Sequence, residues 1–306
     1  MHDIPFVDAH VHLWELARIR YPWLTGPFSD DGPNGSVEPI ARDYTLDHYL
    51  ADAANWNVRG IVHVDAGAEA SAALAETEWL QRLADARGLP SGIVAFAALD
   101  DPEVDALLAA HARHGAVRGI RHIVNWHPDP RRSYTPADAT RSPEWERGYA
   151  ALGRHYLSFD LQCYPGQMPQ VATIAERHPE VPVAINHLGM PVLTDADGVG
   201  DWRTGMAELA KLPHVSVKIS GIGFIERRWT PERVRPFVTE AIELFGPERC
   251  MVASDFPTDK LFGTFDDTLS FYADVLGGFG EDERRAMWGG NANRFYRLGL
   301  GIGERA

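Results

Sequence analysis

Residues 6–12 read Phe6-Val7-Asp8-Ala9-His10-Val11-His12, a short apolar run that closes on two histidines. Residues two apart on a strand share a face, so His10 and His12 are expected to point the same way beyond Val11. Seven runs of the same kind follow: Gly60–Val64, Gly92–Ala98, Val117–Ile123, Leu157–Cys163, Val181–Asn186, Val215–Ile219 and Met251–Ser254. Each is rich in β-branched or small apolar residues, the composition of strands buried on both faces. Helical patterns fill the intervals at Leu46–Trp56, Ser71–Arg87, Glu103–Arg113, Pro143–Arg154, Met168–Arg177, Trp202–Leu212, Pro231–Phe245 and Phe265–Leu276. In the seventh, Thr230 can cap, Pro231 suits the first turn and Gly246 the terminus, while Pro236 predicts a kink or a short helix leading into a longer one.

Eight strand–helix units in 306 residues predict an α/β protein of the (β/α)8 TIM-barrel class, one domain over residues 1–306 with its active site at the strand C-terminal ends. A doubly wound open sheet would be expected to carry a glycine fingerprint after an early strand, and the sequence has none. Two longer loops, Glu15–Asp43 and Asn125–Ser142, follow the first and fourth strands, where barrel sites are built.

The chain carries 29 basic and 43 acidic residues, a formal charge of −14. Such a surface disfavours nucleic acid and anionic membranes as partners and leaves a small molecule as the expected one. Cys163 and Cys250 are expected as two reduced thiols. The N-terminus shows no signal-peptide pattern and no run approaches membrane-spanning length, so cytoplasm is the default expectation. A homodimer is the commonest symmetric assembly and the default one here.

Polar residues gather where the apolar runs end. His10 and His12 end the first, His187 the sixth and Asp255 the eighth. Three imidazoles and a carboxylate from strands 1, 6 and 8 would converge at one barrel mouth. They form a candidate metal set of His10, His12, His187 and Asp255, with hydrogen-bonded histidines and no metal as the alternative.

Val7-Asp8-Ala9-His10-Val11-His12-Leu13-Trp14, Tyr21-Pro22-Trp23-Leu24, Asn186-His187-Leu188-Gly189 and Ser254-Asp255-Phe256-Pro257 together resemble the amidohydrolase-2 group of the amidohydrolase superfamily. The similarity is greatest to its lactonase branch, which includes sugar-lactone, pyrone-dicarboxylate and sulfomuconolactone hydrolases. The resemblance implies a (β/α)8 barrel and a hydrolase acting on the carboxylic ester of a lactone. The sequence departs from many superfamily members at strand 4, Gly119-Ile120-Arg121-His122-Ile123, which lacks the lysine that bridges two metals. Gln162 stands where metal-dependent relatives often have histidine. One divalent ion, zinc first, is therefore expected at most, with metal-independent catalysis as the alternative.

Lactone hydrolysis needs an activated water, a stabilised tetrahedral oxygen and a proton for the leaving oxygen. The catalytic residues expected are Asp255 as general base and His187, which with His10 and His12 would polarise the carbonyl directly as a donor or through a bound zinc ion. Arg121, His122, Gln162, Lys218, His63 and Trp14 are the expected substrate contacts. Arg121 and Lys218 could grip an anionic substituent, or each could pair with an acidic neighbour such as Asp160. His63 and Asp65 share a face with Ile61, so one of them at most is expected to reach substrate. Trp14, Trp23 and Trp126 lie in the long loops as packing or as an aromatic wall. A metal-dependent decarboxylase or hydratase of the same fold is the competing enzyme reading, and a non-catalytic small-ligand-binding barrel the competing binding reading.

Overall fold

The computed structural model, which describes residues 3–303, shows eight parallel strands in sequential order around a barrel. They are β1 (Phe6–Val11), β2 (Val58–Val64), β3 (Gly92–Phe96), β4 (Val117–Ile123), β5 (Ser158–Gln162), β6 (Val183–Ile185), β7 (Val215–Ile219) and β8 (Cys250–Val252). The (β/α)8 class is thus observed. Helices α1 (Leu46–Asp52), α2 (Ala73–Arg87), α3 (Val104–His111), α4 (Pro143–Arg154), α5 (Met168–Arg177) and α6 (Gly198–Ala210) follow strands 1 to 6 in turn. A short α7 (Ile222–Ile225) and the long α8 (Pro231–Phe245) follow β7, and α9 (Phe265–Leu276), α10 (Glu281–Arg285) and α11 (Asn291–Phe295) follow β8.

Capping chemistry sets several boundaries. The Ser142 hydroxyl accepts from the Trp145 amide at 3.0 Å with Pro143 in the first turn of α4, and Thr264 and Asp267 cap α9 reciprocally. Gly88, at φ 72°, ends α2 in the left-handed conformation that glycine adopts without steric cost. Of the two outcomes expected at Pro236, the short helix leading into a longer one is not observed, and α8 runs through Pro236 as one helix. The carbonyl that Pro236 leaves without a donor belongs to exposed Glu232, in the first turn, where water can take it.

The strands alternate as doubly buried strands must. Phe159, Leu161, Val183, Ile185, Val217, Ile219, Cys250 and Val252 join the large apolar layer under the helices. Their neighbours Ala184, Met251 and Ala253 pack instead with Val62, Val64, Val94 and Tyr296 in a smaller inner cluster that fills the barrel. Asp160 and Lys218 occupy the same inward parity and solve the burial of their charges by pairing with each other. Tyr296, just beyond α11, donates to both Asp160 oxygens at 2.9 and 3.1 Å, so the C-terminal segment plugs the barrel from below.

Closure between β8 and β1 is made by the site residues' own backbone. The Asp255 amide donates to the His10 carbonyl at 2.9 Å, and the His12 amide to the Phe256 carbonyl at 2.8 Å. Buried Asp8 adds a clamp, accepting from the Ser254 amide and from the Tyr49 hydroxyl, each at 2.9 Å. Cys163 and Cys250 are free and buried. Among the described residues no helix is long and apolar enough to cross a membrane.

Candidate active site

His10 and His12 arrive together at the mouth, their Nε2 atoms 3.2 Å apart. Asp255 Oδ1 stands 3.4 Å from His10 Nε2 and 3.3 Å from His12 Nε2, and Asp255 Oδ2 stands 3.9 Å from His187 Nδ1. The four groups expected from strands 1, 6 and 8 are therefore brought together. Both His187 and Asp255 sit at positive φ, 53° and 58°, which turns each side chain off its strand's end toward the centre. Gly221, at φ 64°, makes room for the imidazole of His187, because a Cβ there would lie 2.6–2.7 Å from its Cβ, Cγ and Nδ1.

The electrostatics suit ligation and base chemistry. Burial holds the His10 and His187 imidazoles neutral, lowering His187 to about 4 and His10 well below its ordinary value. For Asp255, burial pulls upward, but His187, His12 and Arg121 outweigh it and hold the carboxyl below its usual range. Neither Asp255 oxygen has a hydrogen-bond partner among the described residues, although the side chain is only 1% exposed. An ionised, buried and unsatisfied carboxylate facing neutral imidazoles asks for a cation or a water.

The separations match a metal. Four nitrogen or oxygen ligands at about 2.0–2.1 Å from a tetrahedral zinc stand about 3.3–3.4 Å apart. The His10–His12–Asp255 triangle has edges of 3.2, 3.3 and 3.4 Å. His10, His187 and Asp255 also place one ligand atom each within 4.8 Å of one another. His12 Nδ1 lies 2.7 Å from the Val64 carbonyl, the outer contact that orients a ligating imidazole and leaves Nε2 with a lone pair. The residues present fit one divalent ion.

Above this cluster lies a cavity of about 210 Å³ lined by His12, His187 and Asp255 together with Arg121 and Gln162. Both long loops reach it. Asn34 of the first and Tyr134 of the second meet above the mouth through a hydrogen bond from the Tyr134 hydroxyl, while Trp23, Ile123 and Phe224 supply an apolar wall. Asn34, Tyr134, Phe224 and Thr258 carry no motif or periodic signal in the sequence, and their location in or beside loops after strand ends is the one available clue. A larger hollow of about 520 Å³ beside Trp126 and Asp195 contains none of the His/Asp cluster.

Four expected substrate contacts do not border the cavity. Trp14 is fully buried and donates its indole N–H to the Arg42 carbonyl at 2.6 Å; Trp23 takes the wall position instead. His63 shares the outward parity of Ile61, and its Nδ1 accepts from the Leu13 amide at 3.2 Å. His122 alternates with Arg121 and so faces the helices, where its Nδ1 accepts from the Leu99 amide at 3.1 Å. Lys218 lies beneath the site, paired with Asp160 and 3.4 Å from His10 Nδ1. Arg121 does pair with a carboxylate, but with Asp65 at 3.2 Å and not with Asp160.

Behind Asp65, the buried carboxyl of Glu76 is pushed from 4.5 to about 8 by burial first and then by the Asp65 charge. Between those two values the folded protein keeps Glu76 neutral while the unfolded chain ionises it, so stability falls as pH rises from 4.5 to 8. Glu76→Gln removes that penalty. The variant is expected to match the parent near pH 4 and to gain on the order of 1 kcal/mol per pH unit up to pH 8. Thermal unfolding across that range checks it, and a pH-independent difference would contradict the neutral carboxyl.

The sequence matches the amidohydrolase family, Amidohydro_2, over residues 7–298. The chain belongs to the amidohydrolase family. This amidohydrolase is 40% identical to the Sinorhizobium fredii protein y4mH over 97% of this chain and all of that one. It is 29% identical to a protein from Burkholderia multivorans named L-fucono-1,5-lactonase, over 95% of this chain and 96% of the relative. A crystal structure of a Burkholderia multivorans amidohydrolase with bound zinc superimposes with a TM-score of 0.79 at 27% identity, covering 96% of this chain and 99% of that one.

Proposed function

We propose that this amidohydrolase opens a small lactone by water attack on the ring carbonyl, with Asp255 as general base. The observation that carries the reading is the Asp255 carboxylate, held below its usual range and buried beside His10, His12 and His187 at the floor of the cavity. Relatives named L-fucono-1,5-lactonase at 28–29% identity support the reaction class. A divalent ion held by His10, His12, His187 and Asp255 would supply Lewis acidity to the carbonyl.

The chain's own residues do the rest. Asp255 takes one proton as the water oxygen bonds to the carbonyl carbon. As the ring C–O bond breaks, that proton passes to the departing alkoxide and leaves a hydroxy acid. The His187 Nδ1 contact with the Ser220 hydroxyl at 3.2 Å orients the ring, so that its other nitrogen either helps hold the ion that polarises the carbonyl or, without one, donates to the developing oxyanion itself. Asn34, Tyr134 and Trp23 cover the cavity and limit competing water.

A pH-indicator assay over aldono-1,4- and 1,5-lactones, muconolactones and pyrones, with and without Zn2+ or Mn2+, tests this. Turnover of any lactone class, lost on chelation or in Asp255→Asn, supports it. Silence across the panel combined with CO2 release from aromatic acids would replace hydrolysis by decarboxylation.

A further inference from the structure

Arg121 is the one lysine or arginine among the described residues lining the cavity, and its guanidinium is already committed. Nε and Nη2 reach Asp65 Oδ2 at 3.3 and 3.2 Å, Nη2 also reaches the Asp65 carbonyl, and Nη1 donates to Gln162 Oε1 at 2.9 Å. Those four bonds leave one of five N–H groups, so the two parallel donors that grip a carboxylate are not on offer. Asp65 is itself pinned, because its Oδ1 accepts from the Gly67 amide at 2.9 Å. The pair is buried on both sides, at 4% and 2% exposure, so solvent does little to loosen it.

The other cations near the mouth do not replace it. Lys218 lies below the site, paired with Asp160. Arg227 lies outside the cavity lining, over the Phe262 ring. Gln162, turned by its bond to Arg121, keeps its amide nitrogen as a neutral donor, and the Thr258 hydroxyl is a second polar group of the lining. Trp23 and Phe224 line the same cavity, as does Ile123 beside Gln162 on the neighbouring strand, and these three offer surface for C–H groups. An anionic substituent reaching past the reacting carbonyl would lose its water here with no free side-chain cation to meet it.

We infer that the substrate is an uncharged lactone, hydroxylated toward Gln162 and apolar toward Trp23, and that Asp65 determines this specificity by cancelling Arg121. The inference rests on the lactonase reading and narrows it. Asp65 is a positioning residue, acting through Arg121, and the wall it holds rejects carboxylated or sulfonated rings.

The test compares two 1,4-lactones that differ only in a hydroxymethyl or a carboxymethyl substituent. The wild-type protein is expected to prefer the neutral one by about 100-fold or more in kcat/KM. Asp65→Asn removes the charge that cancels Arg121 and weakens two of its four bonds, leaving those to the residue-65 carbonyl and Gln162, and should shift that ratio at least about tenfold toward the anion, chiefly through KM. A wild-type preference for the anion, or a folded Asp65→Asn with an unchanged ratio, overturns the inference. Should Asp65→Asn fail to fold, the wild-type ratio still decides. Calorimetry with the matching unreactive lactams separates the two readings. If no lactone is hydrolysed but the neutral lactam binds about tenfold or more tighter, the hydrolytic reading fails while the charge preference stands. Anionic turnover that disappears in Arg227→Ala would overturn the inference by assigning the missing cation to the rim.

Discussion

Asp255→Asn is expected to lower kcat by about 10²–10⁴-fold while the protein stays folded. The amide keeps the size and shape of the carboxylate but cannot accept the proton of the attacking water. The backbone at Asp255 sits at φ 58°, a left-handed conformation that asparagine tolerates well, so the turn that closes β8 on β1 should persist. No amide or hydroxyl among the described residues donates to the Asp255 oxygens, and the buried Asp259 carboxyl, which burial and Asp255 hold protonated, can donate to the asparagine oxygen in their place. Steady-state kinetics, circular dichroism and metal analysis together read the outcome. Metal content should fall with kcat, because an amide is a weaker ligand than a carboxylate. A folded variant within about tenfold of wild-type kcat would remove Asp255 from the chemistry.

The largest effect on stability is expected at Lys218. Lys218 and Asp160 are both fully inaccessible and paired with each other inside the barrel. Burial draws the Lys218 ammonium below its ordinary range, and Asp160 draws it part of the way back. Lys218→Met leaves Asp160 as a buried carboxylate held only by the Tyr296 hydroxyl. Breaking a buried pair from one side costs about 3–5 kcal/mol, because the remaining charge stays desolvated without compensation. Removing every polar member, with Lys218→Met, Asp160→Leu and Tyr296→Phe together, is expected to recover most of that loss. Urea midpoints of the single and triple variants check the point. Equal midpoints for parent and Lys218→Met would show the pair to be energetically idle.

The different fates of Lys218 and Arg121 show where barrel closure outranks strand register. Asp160 is the partner of Arg121 in the β4–β5 ladder, which made it the natural acidic neighbour to expect. In the barrel the Asp160 side chain instead crosses the lumen to Lys218 on β7, and Arg121 tilts to the loop beyond β2 and takes Asp65. Closure brings nonadjacent strands within reach of one another, and no local pattern encodes which of two carboxylates a given cation will meet.

The fold itself was legible residue by residue. Apolar runs of strand length alternating with helical periodicity identify eight units, since a doubly buried strand must be apolar on both faces and a covering helix on one. His10, His12, His187 and Asp255 were legible for a related reason: polar groups ending apolar strands have to face the mouth of a parallel barrel. What only the tertiary structure decided is the chemistry of the walls. Which histidines turn outward, as His63 and His122 do, depends on a parity set by neighbouring strands. The cover made by Asn34, Tyr134 and Trp23 depends on two loops meeting across the mouth, and Phe224 on where the short α7 settles. Strand and helix patterns are local and repeat, so one sequence carries them. Loop encounters and ion-pair choices are single long-range events, settled by burial and charge compensation after the barrel has closed.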